Sequence, residues 1–329
     1  MSQTKQAKGN LGLALYGFSM GTANVIPGVS GGTMALIHGI YEDLVDAINS
    51  ANWEFIKALV TLKWKKAFFI LHWRFLVPLG IGVTLAVVSL AKLIPYLIEH
   101  YRTPVSAFFV GLIAASSVVI ARQIPKWTVG TTLWGLLSAV VAFWVVGLIP
   151  VQTPTGLWFI FLCGVLSIMA MLLPGISGAF ILLVLGKYAY ILGNVRDLAY
   201  HARLSAVIPL TVFAIGCILG LAGLARILGA ALKRYRGQTM AALGGLMIGS
   251  LRTLWPWREV VATAKIGGKT VPTEEANRLP GAFNGEVLLV IGLVVVGIFL
   301  VLLLERLASG GEGAEAGSGS LSKTSKQHE

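Results

Sequence analysis

The chain has 329 residues, 56% of them hydrophobic and only 12% charged, about half the charged share of an ordinary soluble domain. No Asp, Glu, Lys or Arg occurs from Gly9 to Tyr41 or from Trp127 to Gly186. A water-soluble core cannot hide so much continuous apolar sequence, so the composition excludes a soluble globule and predicts a polytopic membrane protein. The net charge of +12 resides in Lys and Arg that flank the apolar spans, with no basic stripe interleaved with aromatics. That pattern speaks for anionic lipid headgroups and against a nucleic-acid partner.

In chain order, residues 1–10 form an N-terminal cytoplasmic segment. Lys5 and Lys8 imitate a signal-peptide start, but the apolar region runs far past a signal core and shows no cleavage pattern. Leu11–Ile26 and Thr33–Ile48 are apolar segments of about sixteen residues, roughly 24 Å each as helix and too short to cross alone. Between them lies Pro27-Gly28-Val29-Ser30-Gly31-Gly32. This region, 11–50, reads as a re-entrant hairpin. Trp53–Trp73 mixes aromatics with lysines and reads as an interfacial amphipathic segment, or as a solvated basic loop. Three full spans follow: Phe75–Leu97, Pro104–Ala121 and Thr128–Ile149. A second split pair, Leu157–Leu173 and Ala179–Leu192, forms a second re-entrant hairpin over 157–196. The spans Leu204–Leu232, Thr239–Leu254 and Gly285–Leu304 complete the membrane region. The composition of residues 309–329 predicts a disordered tail.

The two halves repeat. A shift of 147 positions pairs Pro27 with Pro174, Gly28 with Gly175, Ser30 with Ser177, Gly31 with Gly178, Gly39 with Gly186 and Tyr41 with Tyr188. A shift of 134 then pairs Gly82 with Gly216, Lys92 with Arg226, Arg102 with Arg236 and Gly111 with Gly245. Collinear blocks that share polar and glycine positions mark a duplication. Three spans separate the hairpins, and an odd number turns the second copy over. The expected fold is therefore all-α and polytopic: residues 11–150 and 157–306 as inverted repeats, with six full spans and two re-entrant hairpins. Lys57, Lys63, Lys65, Lys66, Arg122, Lys126, Lys233, Arg234 and Arg236 fall on the side of the N-terminus, which places both termini in the cytoplasm. Basic residues around Arg252–Arg278 run against that bias.

Backbone polar groups cannot stand open to lipid, so each break must be buried in protein or face a wet cavity. A helix that restarts after Pro-Gly-x-Ser-Gly presents free N–H groups and a positive dipole end, a natural anion site. Ser30 and Thr33 add hydroxyl donors. A kinked helix packed through glycines is the plainer alternative. No Gly-Lys-Ser/Thr follows the glycines, so this is not a nucleotide phosphate loop. Lys92 and Arg226, at matched positions in equivalent spans, are candidate headgroup cations; snorkelling to the interface is their alternative. Arg102 and Arg236 sit in turns and read as interface anchors. Glu42 and His38, four residues apart, are candidates for proton coupling, against a helix-end acid and a packed histidine. Cys163 and Cys217 read as small core residues. No metal-ligand spacing and no cofactor motif is present.

"ANVIPGVSGGTMALIHGIYEDL" and "LLPGISGAFILLVLGKY" resemble the polyprenyl-phosphate (undecaprenyl-phosphate) translocase family of bacterial membranes, and the resemblance extends to about Arg306. It implies a non-enzymatic flippase of the cytoplasmic membrane that returns undecaprenyl phosphate from the outer to the inner leaflet for cell-wall and surface-glycan synthesis. The family's motifs match here at Asn24, Pro27, Gly28, Ser30, Gly31, Gly32 and Thr33, and again at Pro174, Gly175, Ser177 and Gly178. The copies differ, with Met171, Ala179 and Phe180 replacing Asn24, Gly32 and Thr33, so the first hairpin is expected to hold more of the headgroup. The partners implied are the polyprenyl phosphate and the bilayer; a homo-oligomer stays open. Two rivals remain. Undecaprenyl-diphosphate phosphatases share a Pro-Gly-x-Ser turn but place an Arg after the Ser and add acid pairs, whereas Gly31 and Gly178 stand there in this chain. A soluble-anion transporter would use the same pocket chemistry.

Overall fold

The computed structural model describes residues 9–25, 30–90, 93–148, 153–266 and 269–324. Pro27, Gly28 and Lys92, three of the expected site residues, lie outside them. The first half begins with α1 (Asn10–Val25), α2 (Gly31–Ile37) and α3 (Tyr41–Asn49). Two short helices follow, α4 (Trp53–Val60) and α5 (Trp64–Ile70), then α6 (Trp73–Leu90), α7 (Leu93–His100), α8 (Arg102–Arg122) and α9 (Val129–Val145). The second half repeats the order with α10 (Leu157–Leu172), α11 (Gly178–Val184), α12 (Tyr188–His201), α13 (Val207–Arg234) and α14 (Arg236–Ser250). A 3-10 turn, Leu251–Leu254, leads to strands β1 (Arg258–Ile266) and β2 (Lys269–Asn277), and α15 (Gly285–Thr324) closes the chain.

Four helical stretches are long and apolar enough to cross a membrane: Trp73–Leu90, Arg102–Arg122, Leu204–Arg234 and Gly285–Leu303. The bent pair α11–α12 would make a fifth. The chain is a mostly helical integral membrane protein. The six expected spans are met in part. α9 has 17 residues and α14 has 15, short of the roughly twenty a straight crossing takes. The span expected over Phe75–Leu97 is divided into α6 and α7, and Pro95 in the first turn of α7 suits a helix start.

The mostly helical fold agrees with the expected class and carries one short addition: β1 and β2 pair antiparallel from Arg258↔Asn277 to Ile266↔Lys269. The signal was present: β-branched residues on both sides of Gly267-Gly268, a two-residue hairpin pattern. Residues 309–324, expected as disordered tail, continue α15 as helix. Extending an established helix costs far less than nucleating one, so poor formers can follow an apolar span. Finally, each second limb of the hairpins is two helices. Gly39 and Gly186 adopt left-handed φ values of +66° and +62°. Around them Gly39 N donates to Leu36 O and Ile40 N to Ala35 O, while Gly186 N donates to Leu183 O and Lys187 N to Leu182 O. This is the paired C-terminal lock that ends a helix at glycine. It bends α12 by 110° from α11.

The most extensive helix packings are α1–α6, α10–α13, α9–α14 and α8–α15. They correspond pairwise: exchanging each helix for its counterpart in the other half turns the first into the second and the third into the fourth. The correspondence reaches single residues. A Cβ on Gly82 would strike Ala14 O, and one on Gly216 would strike Phe161 O. Gly82 and Gly216 differ by 134 positions, Ala14 and Phe161 by 147, the two shifts found in the sequence. Close approach through small residues is how helices associate where lipid removes the hydrophobic drive. The counterparts α8 and α14 lie antiparallel: Ile124 packs on Gly237, while Arg102 shares a cleft with Leu254.

Gly82→Ala is expected to lower stability by about 1–3 kcal/mol, because the new methyl meets an immobile carbonyl. Gly80→Ala, with open space around it, is expected to be neutral or slightly stabilising. Thermal unfolding of the two variants in detergent compares them directly.

Candidate functional site

The breaks in the two hairpins meet. α10 ends at Leu172, and Pro174 follows, so the last carbonyls of α10 lose their helical donors. The first half supplies replacements. Tyr41 Oη donates to Leu172 O at 3.2 Å, and Ser30 Oγ donates to Leu173 O at 3.1 Å. In return Gly175 N donates to Thr33 Oγ1 at 3.0 Å. Ser30 Oγ and Thr33 Oγ1 are 3.2 Å apart. With the Ser30 proton on Leu173 O, Thr33 is the donor of that pair, so a chain runs from Gly175 N–H through both hydroxyls to Leu173 O. Ser30 and Thr33 are 1% and 0% exposed.

Local sequence explains the geometry. Ser30 is extended, with φ −121° and ψ 151°, and caps α2 by accepting from Thr33 N at 3.3 Å. Asn24, in the last turn of α1, accepts from Gly31 N through Oδ1 at 2.7 Å. Gly32 presses on the end of α10, where a Cβ would come within 2.5 Å of Leu172 O. Gly175 has φ +86°, and a Cβ there would lie 2.7 Å from Ser250 Oγ. Glycine is therefore required at both positions by close approach.

A cavity of about 150 Å³ adjoins this knot. Asn24, Gly31 and Gly32 give it a polar end, and Met20, Leu44, Ile168, Met171, Leu172 and Leu221 give it apolar walls. The Nδ2 amide of Asn24 makes no hydrogen bond among the described residues.

The expected site residues fall into three groups. Asn24, Ser30, Gly31, Gly32, Thr33, Pro174 and Gly175 come together, with Pro174 fully buried. Ser177 and Gly178 begin α11 one turn away and do not line the cavity. Ser177 makes no side-chain cap bond, and Ser167 Oγ donates to Gly178 O at 2.9 Å. Arg226 is exposed on α13, away from the cavity. Glu42 pairs with Arg236 at 2.8 Å, and Asp46 with Lys233 at 3.8 Å, so α3 is tied to the α13–α14 corner. Asn49 Nδ2 adds a bond to Ala225 O at 2.9 Å. His38 stacks on Tyr16 at 4.3 Å, and its Nε2 lies 2.7 Å from Ser19 Oγ.

Two residues escaped sequence reasoning. Tyr41 was matched to Tyr188 but given no task, though its hydroxyl closes the end of α10. Lys187 is 4% exposed, donates to Thr153 O at 2.8 Å and lies 5.7 Å from the Phe159 ring centre. Its signal was its place as the first charge after the long uncharged run.

The family model described as VCA0040-like, undecaprenyl phosphate translocase-like, matches residues 20–270. The chain belongs to this family. It is 36% identical over 301 residues to the polyprenyl-phosphate transporter of Vibrio cholerae serotype O1, covering 89% of this chain and 96% of that protein. It is 29% identical over 255 residues to the polyprenyl-phosphate transporter of Staphylococcus aureus, covering 74% of this chain and 85% of that one. No solved structure matches. In this member of the family both hairpin breaks lie within the matched region.

Thr33→Val keeps the shape but leaves the buried Gly175 N–H without its acceptor, and is expected to cost about 1–3 kcal/mol of stability. Ser177→Ala, which removes no observed bond, is expected to change stability by less than about 0.5 kcal/mol. Melting curves for both in the same detergent test the asymmetry. Equal losses would mean that the second serine carries a structural bond of its own.

Proposed function

We propose that this protein moves a polyprenyl phosphate, undecaprenyl phosphate, across the bacterial cytoplasmic membrane, returning the lipid carrier from the outer to the inner leaflet for cell-wall and surface-glycan synthesis. The names of the Vibrio and Staphylococcus relatives support the cargo class. The observation that carries the reading is the cavity beside the joined breaks. One end offers the Asn24 amide and the start of α2, and the walls are hydrocarbon. That division suits an amphiphile with a small anionic head and a long apolar chain.

In this proposal the headgroup displaces the Asn24 carboxamide from Gly31 N–H and takes bonds from Asn24 Nδ2 and the first turn of α2, with the positive end of that helix behind them. Pro27 and Gly28, from the same sequence motif, are assigned to headgroup binding with them. Ser177, Gly178 and the start of α11 receive the headgroup on the other side of the knot, and Lys92 and Arg226 meet it on its way. The prenyl chain stays in lipid. The two halves act as inverted repeats with six crossings and two re-entrant hairpins, and rocking of one half against the other alternates access. The antiparallel packing of the counterparts α8 and α14 supports this plan. Both termini are cytoplasmic. The ties from α3 to Lys233 and Arg236 hold one face closed, and coupling through Glu42 or His38 requires their present contacts to break. The activity is translocation without bond cleavage.

The test is reconstitution in vesicles with undecaprenyl phosphate, an impermeant headgroup probe and an assay for released phosphate. Wild-type protein is expected to move the lipid between leaflets and release no phosphate from undecaprenyl diphosphate. Asn24→Asp keeps the acceptor for Gly31 N–H but sets a negative charge where the phosphate would sit. It is expected to fold normally and to slow translocation at least tenfold. Phosphate release by the wild type would reassign the site to hydrolysis, and undiminished transport by Asn24→Asp would move the headgroup elsewhere.

A further inference from the structure

The first repeat holds a segment that the second lacks. Between Tyr41 and Gly82 the shift that relates the halves falls from 147 to 134, so the first half carries thirteen extra residues there. After α12 the second half passes through the turn Leu204–Ala206 straight into α13, whereas the first half inserts α4 and α5 between α3 and α6. These two helices pack on each other, and neither packs extensively on any other element. Ala58 and Ala67 are buried. His72 N donates to Ser50 Oγ at 3.4 Å and closes the base of the helical pair. The insert therefore adds little to the core of the bundle and presents most of its surface outward.

That surface is both apolar and basic. Trp53, Val60, Trp64, Phe68 and Phe69 are exposed, Phe69 by 84%. Trp53 and Val60, seven apart, share a face of α4, and Trp64 and Phe68, four apart, share one of α5. Lys57, Lys63, Lys65 and Lys66 stand exposed among them, with Glu54 as the one acid between residues 53 and 73. None of these four lysines is held in an ion pair among the described residues. The turn between the helices adds a second sign. Lys63 N donates to Ala58 O at 2.9 Å, the same closure that ends α2 at Gly39 and α11 at Gly186. Here the left-handed position is filled by Leu62, with φ +53° and 69% exposure. A leucine costs more than a glycine in that backbone, and water does nothing to offset the strain. Hydrocarbon around the side chain does.

We infer that the α4–α5 insert docks on the anionic phospholipids of its own leaflet, with Leu62 and the aromatic rings at the acyl boundary and the four lysines on the lipid phosphates. Interfacial helices bind in this way, through buried apolar area together with attraction to anionic headgroups. Lysine suits the task, because a compact charge on a flexible stem reaches phosphates without a fixed geometry. The chain leaves the insert little choice of place. α5 ends at Ile70 and the apolar span α6 begins at Trp73, so the insert is tethered at the membrane surface. It follows α3, which Lys233 and Arg236 hold, so on the topology proposed above it faces the cytoplasmic leaflet. An aqueous polyanion would engage the lysines and leave Leu62 and Phe69 in water.

The experiment uses the full-length protein with Phe69→Cys, labelled with a fluorophore and reconstituted in vesicles of phosphatidylcholine and phosphatidylglycerol. Wild type labelled in parallel is the blank, since Cys163 is buried and Cys217 half-buried. Quenching by acyl-chain nitroxides carried on either lipid is compared with quenching by acrylamide in water. Both lipids are expected to quench, phosphatidylglycerol about threefold more at equal mole fraction, and acrylamide little. The excess is expected to vanish in about 1 M salt. It is also expected to vanish when Lys57→Gln, Lys63→Gln, Lys65→Gln and Lys66→Gln are combined, and to survive when all four become Arg. Size exclusion checks folding, and Val60→Cys supplies a second labelling site. Equal quenching by the two lipids would overturn the inference. Quenching by acrylamide without quenching by lipid would also overturn it and give the surface to an aqueous partner. Neither readout depends on transport, so failure here and failure of the translocase reading are told apart.

Discussion

A helix broken inside a membrane exposes backbone groups that lipid cannot satisfy, and the architecture follows from how this chain satisfies them. The carbonyls freed at the end of α10 take their protons from Tyr41 and Ser30, and the Gly175 N–H gives its own to Thr33. Each donor or acceptor lies across the chain from its partner, in the other half. The second break is not complete without the first half. The contact requires a small residue at Gly32, where the start of α2 presses on Leu172 O, and a second at Gly175, where the break presses on α14.

Around that centre the halves are alike in packing and unlike in polarity. The contacts of Gly82 and Gly216 with backbone carbonyls obey the sequence shifts residue for residue. The charged residues do not. Glu42 and Asp46 on α3 have Ala189 and Gly193 as counterparts on α12, so the ion pairs to Arg236 and Lys233 exist on one side only. Exposed pairs of this kind contribute little to stability. They suit a contact that must form and release, whereas the buried carbonyl contacts suit a scaffold that must persist.

Much of this was legible in the sequence, because glycine and proline in a membrane segment carry few meanings. The repeat, the motif residues that meet and the place of the breaks all follow from Pro-Gly-x-Ser-Gly and its spacing. The second break in each hairpin was written there too, in the matched pair Gly39 and Gly186, but a lone glycine in an apolar run reads equally as packing or as a turn. Arg226 shows another limit. Matched positions establish equivalence, not direction, and a helix face is decided by neighbours that the sequence does not order. The β-hairpin was overlooked because a chain so apolar invites a helical reading, although Gly267-Gly268 stood between two strand-like segments. Tyr41 was invisible for a different reason: its importance lies in what its hydroxyl meets 131 residues away.

The brevity of α2 and α11 has a consequence for the membrane itself. Each has 7 residues, about 10 Å of helix, and beyond them come Glu42 and Lys187, the first charges after each uncharged run. The hydrocarbon of an ordinary bilayer is about 30 Å thick. The apolar helix between the polar knot and the first charge on each limb is therefore about a third of that thickness. Most of α2 is buried, so protein rather than lipid supplies the insulation around it.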